Sequence, residues 1–360
     1  MSLQIAIACG GTGGHVMPGL AAAAVLQARG HTVTLWLTGN PVEDRSAASW
    51  NGPVERVPAA GFPTSFSLRG VHAAWKLWRA FRRCRRRMRG ARPDVLLAMG
   101  SYASVGPVWA ARRLGVPYLF HEANVQPGRA VRWFARGAVC VASHFEETRY
   151  FLRRRRIEVT GMPLRAAMEQ AAIEPGGTQG APFTVLIMGG SHGAHVLNDT
   201  LSTSILALAE QGTQLAVIHL TGTQDHDVIR ARYEQAEVAA EVHAFQADMA
   251  PLYRRADLAV CRAGASTCAE LSLFGVPALL VPYPHAANDH QTANARALER
   301  AGAVDVVPEY DLSVPWLVDY LAASATDQQR RARMRKAQQA RARPRGAERL
   351  ADLVEQAAGD

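Results

Sequence analysis

A chain of 360 residues, 48% hydrophobic and 20% charged, is globular and too long for one ordinary core; about 150 residues per domain predicts two. No apolar run approaches the roughly 18 residues of a membrane-spanning helix, and five cysteines (Cys9, Cys84, Cys140, Cys261, Cys268) without a C-x-x-C pair argue against a disulfide framework or zinc ribbon and fit a reducing compartment. The net charge of +9 is concentrated in one patch, because Arg69 to Arg92 holds ten basic residues and no acid.

The opening residues run straight from an apolar stretch into glycines, which reads as a first strand, Gln4 to Ala8, and not as a signal peptide. A helix from Pro18 to Arg29 and a strand from Thr32 to Leu37 follow. Asp94 to Met99, Tyr118 to His121 and Ala138 to Ala142 are further strands with helices between them. This alternation predicts an α/β fold with a doubly wound parallel sheet. Gly161 to Gln170 reads as a hinge plus a short helix, and the Pro/Gly-rich stretch Glu174 to Pro182 interrupts the pattern. The same grammar then restarts: strand Thr184 to Met188, glycine turn GGSHGAH, helix Val196 to Ala209. Strands at Leu215 to Leu220, Glu241 to Ala244, Leu258 to Val260 and Ala278 to Val281 complete a second half. The tail, Asp327 to Gln356, is helical in pattern.

Glycine loops between strand and helix let backbone N–H groups approach an anion at a helix N-terminus, although either loop alone also reads as a plain tight turn. No Walker A sequence occurs. Gly11-Thr12-Gly13-Gly14-His15-Val16 lacks the third glycine of a dinucleotide fingerprint, and no ribose-binding acid ends the second strand. His15, at the mouth of the first helix, is either a structural histidine or a general base near a hydroxyl. In CRAGASTCAEL (Cys261 to Leu271) small residues lead into a helix carrying Glu270, a capping acid if taken alone and a ribose ligand in this company. The loop PALLVPYPHAANDHQTANA adds His285, Asn288, His290 and Gln291 as candidate sugar or phosphate contacts.

Together these motifs resemble the MurG family of bacterial glycosyltransferases, glycosyltransferase family 28, over nearly the whole chain. GGTGGHVMPGLA (Gly10 to Ala21), GSYAS–GP (Gly100 to Pro107), HEAN (His121 to Asn124), GMPLR (Gly161 to Arg165), GGSHGA (Gly189 to Ala194), RAGAST–AEL and DHQT–NA carry the resemblance in order. It implies a GT-B architecture, two Rossmann-like domains facing across a cleft. Residues 1–163 would serve the acceptor and the membrane, with 341–360 packing back on them, and 164–340 would bind the donor. The implied reaction is inverting transfer of N-acetylglucosamine from UDP-N-acetylglucosamine to the C4 hydroxyl of undecaprenyl-linked muramoyl-pentapeptide, in peptidoglycan synthesis at the cytoplasmic face of the inner membrane. Matched by motif, the donor contacts are Thr12, Gly13, Gly14, Asn124, Arg165, Ser191, Gln246, Ala265, Ser266, Thr267, Cys268, Ala269, Glu270 and Gln291. Gly11, Gly14, His15 and Tyr102 would meet the acceptor's diphosphate, with His15 as the catalytic base. Glu270 would hold the ribose and Gln291 the sugar. No cofactor is implied, and no metal, since no D-x-D motif occurs where a nucleotide-sugar metal site is expected. Ala123, Met162 and His192 depart from the family pattern, as does an extra residue in GSYASVGP.

The arginine-rich segment VHAAWKLWRAFRRCRRRM places Val71, Trp75, Trp78 and Phe81 at helical spacing. Flanked by Arg79 and Arg82, this stripe is that of an interfacial helix on an anionic leaflet, or else a core stripe beside a solvated charged face. A nucleic-acid-binding protein would account for the arginines but leaves the glycine loops unexplained and shows no recognised motif. Another GT-B lipid glycosyltransferase, or a UDP-sugar epimerase, remains an alternative within the fold.

Overall fold

The computed structural model describes residues 2–57, 68–174, 182–189 and 195–359, with the backbone alone for 68–71. The chain divides into two compact units, Met1–Ala166 with Arg343–Asp360, and Ala167–Ala342.

The first unit holds β1 (Gln4–Ala8), α1 (Gly13–Ala28), β2 (Thr32–Leu37), α2 (Pro41–Ser46), β3 (Val54–Arg56), α3 (Leu68–Gly90), β4 (Val95–Ala98), α4 (Val105–Leu114), β5 (Tyr118–Glu122), α5 (Arg129–Phe134), β6 (Val141–Ser143) and β7 (Ile157–Val159). Its seven parallel strands run in the order β3-β2-β1-β4-β5-β6-β7. The order reverses between β1 and β4, and the crevice beyond the carboxyl ends of strands at such a switch point is where open α/β sheets bind ligands. The loops after β1 and β4 meet there.

The second unit contains α6 (Ala166–Ile173), β8 (Thr184–Met188), α7 (His195–Glu210), β9 (Ala216–Leu220), α8 (His226–Gln235), β10 (Ala240–His243), α9 (Ala250–Arg255), β11 (Leu258–Cys261), α10 (Ala265–Phe274), β12 (Ala278–Leu280), α11 (His290–Arg300), β13 (Val304–Val306), α12 (Val314–Thr326) and α13 (Gln328–Arg341). Its parallel order, β10-β9-β8-β11-β12-β13, reverses between β8 and β11. The doubly wound reading therefore holds in both halves.

Three local expectations change. α1 begins at Gly13, so Pro18 lies inside the helix; Thr12 is extended at the N-cap, and the two glycines supply the first turn. The tail is two helices, broken at 342–345, where Pro344 offers no amide hydrogen and Arg345 has φ +61°. α13 packs on α10 through Gln338, which accepts from Ser272 Oγ (2.7 Å) and donates to the Val276 carbonyl (3.1 Å). α14 (Gly346–Gly359) instead places Leu350, Ala351, Val354 and Ala357 in the core beneath β1 and α1. Gly346 lies so near Met162 that a Cβ there would stand 2.3 Å from its carbonyl oxygen.

The third change concerns α3. Ala80, Phe81, Cys84 and Met88 are buried, and Phe81 stacks on Trp109 of α4 at 4.4 Å between ring centroids. Phe81 is therefore a core residue, not part of an outward stripe. The close approach of α3 and α4 at Gly106, whose Cβ position lies 3.3 Å from Ala80 Cβ, turns it inward. Trp75 and Trp78 stay outside, 49% and 45% exposed. Arg79 lies over the Trp75 ring at 4.6 Å and Arg82 over Trp78 at 4.8 Å. The side chain of Val71 lies outside the described residues.

Candidate active site

In the first unit the loop after β1 is fixed by side chains from two neighbouring loops. Gly11 takes φ +127°, a conformation that favours glycine. Its N–H donates to Glu43 Oε1 (2.6 Å), and its carbonyl accepts from Asn40 Nδ2 (2.9 Å). Ser101, from the loop after β4, donates to the Gly10 carbonyl (2.5 Å). Gly10 N–H donates to the Trp36 carbonyl (3.3 Å). Gly11 thus has its own N–H committed inside the protein, and the first-turn N–H groups of Gly13 and Gly14 are the helix donors an anion would meet. The Tyr102 ring, 45% exposed, lies against Gly11, with Cε1 3.6 Å from that residue's Cβ position.

His15 is half-buried in the first turn of α1. Its Nδ1 lies 3.0 Å from Thr12 Oγ1, so this threonine orients the ring instead of capping the helix. Nearby, the buried His121 has Nε2 3.2 Å from the Gly161 carbonyl. Burial, and secondarily the charge of His15, lowers the His121 imidazole to about 4. At neutral pH His121 is uncharged and opposes no proton arriving on His15.

Asn124 is positioned by Glu122, whose Oε1 accepts from the Asn124 N–H (3.0 Å) and side-chain amide (3.4 Å) and whose Oε2 accepts from Gly128 N–H (2.9 Å). Burial raises this carboxyl to about 7 against the N–H groups that donate to it. A folded-state pKa above the unfolded 4.5 means that the stabilisation is full below about 4.5 and is lost as pH rises through about 7. The shift is worth on the order of 3 kcal/mol. Urea unfolding from pH 4.5 to 8 should therefore show Glu122→Gln gaining on the wild type as pH rises; a constant difference across that range would contradict this. Arg165 is exposed at the end of the first unit.

In the second unit α10 begins at the carboxyl end of β11, with Gly264 as an extended N-cap lacking a side-chain cap. Cys268 and Ala269 face the core, and Cys268 N–H donates to the Gly264 carbonyl (2.9 Å). Of the run Ala265 to Glu270, the partly exposed side chains are Ser266, Thr267 and Glu270, while the Cys268 thiol is packed inside. Tyr253 donates its hydroxyl to Glu270 Oε2 (2.7 Å). Burial, then the neighbouring Glu270, raises that phenol well above its ordinary value, so it remains a donor at every physiological pH. Gln291 Oε1 accepts from Ala263 N–H (3.2 Å) and Tyr283 N–H (2.9 Å), tying together the loops after β11 and β12 and fixing the amide nitrogen on the other side. Gln246 is half-buried just beyond β10. Ser191, like His192, lies outside the described residues.

Sequence reasoning passed over several residues that hold these loops. Glu43 sits three places after Asn40, the spacing of a capping box, which gives no sign that its carboxylate reaches another loop. Arg262 is buried, pairs with Glu309, donates to the Val281 carbonyl (3.2 Å) and lies 5.5 Å from the Tyr283 ring centre. Nothing in its sequence context sets it apart from the other 37 arginines. Glu122 lies inside a recognised motif but was read only through its neighbour Asn124.

The chain matches the glycosyltransferase family 28 N-terminal domain over residues 5–143 and the family 28 C-terminal domain over 184–350. It is 42% identical over 362 aligned residues to the UDP-N-acetylglucosamine--N-acetylmuramyl-(pentapeptide) pyrophosphoryl-undecaprenol N-acetylglucosamine transferase of Bordetella petrii, covering 98% of each chain. The protein of that name from Geobacter sulfurreducens is 37% identical, with 86% of each covered. Among solved structures, MurG of Acinetobacter baumannii superposes with a TM-score of 0.81 at 29% identity, over 98% of this chain and 99% of that one. The calicheamicin glycosyltransferase CalG4, at 17% identity and a TM-score of 0.72, shares the fold.

Proposed function

The chain belongs to glycosyltransferase family 28, and from that premise we propose that it transfers N-acetylglucosamine from UDP-N-acetylglucosamine to the C4 hydroxyl of undecaprenyl-diphosphate-linked muramoyl-pentapeptide. The observation that carries this reading is the 42% identity across 98% of both chains with a transferase of that name. Incubation of the pure protein with labelled UDP-N-acetylglucosamine and a lipid-linked muramoyl-pentapeptide analogue tests it. A labelled disaccharide-lipid is the expected product, and its absence from folded protein would overturn the reading.

Most of the donor contacts belong to the second unit, and the acceptor's to the first. Glu270 accepts the ribose hydroxyls, its carboxylate oriented by Tyr253, while the start of α10 meets the diphosphate. Gln291 turns its amide nitrogen to the sugar. His15, with Nδ1 donating to Thr12 Oγ1, takes the C4 hydroxyl proton on Nε2. The hydroxyl oxygen then attacks the anomeric carbon from the side opposite UDP, and the carbon–oxygen bond to the β-phosphate breaks with its electron pair on the phosphate. Preorganised N–H groups at the helix start favour this charge in the transition state.

A lipid-borne acceptor calls for a membrane contact, and among the described residues no helix is long and apolar enough to cross a bilayer. The contact is the outer face of α3, where Trp75 and Trp78 project beneath Arg79 and Arg82. Each basic residue near an anionic surface contributes about 1 kcal/mol. Reversing Arg79, Arg82, Arg83 and Arg86 to glutamate removes about 4 kcal/mol and should therefore lower partitioning onto phosphatidylglycerol vesicles, read by flotation, at least about 1,000-fold; unchanged flotation would refute it.

A further inference from the structure

Glu43 is 0% exposed, yet among the described residues it makes no ion pair with a cation. A carboxylate so placed is tolerable only when hydrogen-bond donors replace water. Five do so. Oε1 accepts from Gly11 N–H (2.6 Å), Thr38 Oγ1 (2.5 Å) and Asn40 Nδ2 (2.7 Å), and Oε2 from Thr38 N–H (2.7 Å) and Gly39 N–H (2.8 Å). One of the five comes from the loop that leads into Thr12 and His15. A capping glutamate needs only its own helix start, so the reach to Gly11 is surplus to holding α2.

We propose that Glu43 is a positioning residue for the transfer reaction: its buried carboxylate locks the Gly11 peptide, and through it the entrance of α1, so that Thr12 and His15 are presented in a fixed geometry. Glu43 touches neither substrate and acts through the loop. The inference rests on the glycosyltransferase reading above and adds a residue to it. Locking in advance removes the loop motion that would otherwise have to be frozen in the transition state, and small displacements of a catalytic group are costly to rate.

Glu43→Gln is the direct test. An amide presents one oxygen and one NH2 group to the two sets of donors, so at least one set is left facing another donor and the Gly11 lock loosens. Steady-state kinetics on the folded variant should show kcat reduced roughly 10- to 100-fold, with KM for UDP-N-acetylglucosamine and the calorimetric affinity for UDP unchanged. A purely structural glutamate would instead lower the melting temperature while leaving kcat per folded molecule intact, and that result would overturn the proposal. Should Glu43→Gln not fold, Asn40→Ala removes the other side chain bound to Gly11, at its carbonyl, and spares four of the carboxylate's five bonds. A clear loss of kcat at constant donor KM supports the lock, and wild-type kcat refutes it. Wild-type protein without transfer would count against the functional reading; wild-type turnover matched by both variants would count against Glu43 alone.

Discussion

Replacing His15 with alanine should lower kcat by at least about 100-fold, the low end for loss of a general base and equivalent to roughly 2.7 kcal/mol of barrier. KM for UDP-N-acetylglucosamine should stay nearly unchanged. The split follows from where the residue stands. His15 lies in the first turn of α1 with Nδ1 held 3.0 Å from Thr12 Oγ1, whereas most of the donor contacts are assigned to the second unit. The neighbouring His121 is neutral at working pH because burial lowers it to about 4, so it neither repels the proton His15 accepts nor replaces it as base. Initial-rate kinetics with both substrates varied provide the check. A variant retaining most of its kcat would remove His15 from the role.

Glu270→Ala should weaken UDP binding at least about 100-fold, since two charge-assisted hydrogen bonds to the ribose are worth roughly 3 kcal/mol together. The alanine variant also strips the buried Tyr253 hydroxyl of its acceptor, which adds about 1–3 kcal/mol of instability. Glu270→Gln separates the two effects. It keeps an oxygen for Tyr253, so its melting temperature should stay near wild type, while the lost charge still reduces UDP affinity, by about tenfold. Titration calorimetry reads both variants. Alanine binding UDP as tightly as wild type would take Glu270 out of the nucleotide site.

Much of the fold was legible because the central strands are continuous apolar runs, as buried parallel strands must be. Ile5 to Ala8, Val95 to Ala98 and Val185 to Met188 are all buried. The strands that escaped notice, β3, β7 and β13, are sheet edges of three residues each, with patterns only partly buried. An edge strand needs one neighbour and little apolar surface, so Val54-Glu55-Arg56 carries no periodic signal. Phe81 misled for a related reason: helical spacing identifies a stripe but not its direction, and only α4 and Trp109 decide that it points inward.

The site divides along similar lines. Glycine loops, His15 and Glu270 stand in local patterns whose chemistry can be argued from a few adjacent residues. The residues that hold them do not. Glu43 reaches Gly11 across 32 positions, Ser101 reaches Gly10 across 91, and Arg262 reaches Glu309 across 47. Such contacts exist only because a parallel sheet gathers the carboxyl ends of distant strands on one edge, and no spacing rule in the chain announces them.

The most direct measurement is the configuration of the new bond, read by proton NMR on the disaccharide released from the enzyme's product. The donor sugar is α-linked to UDP. One displacement by the acceptor hydroxyl therefore predicts a β linkage to the C4 oxygen of the muramoyl residue. An α linkage, attachment at another oxygen, or hydrolysis of the donor to free sugar in place of transfer would contradict the account.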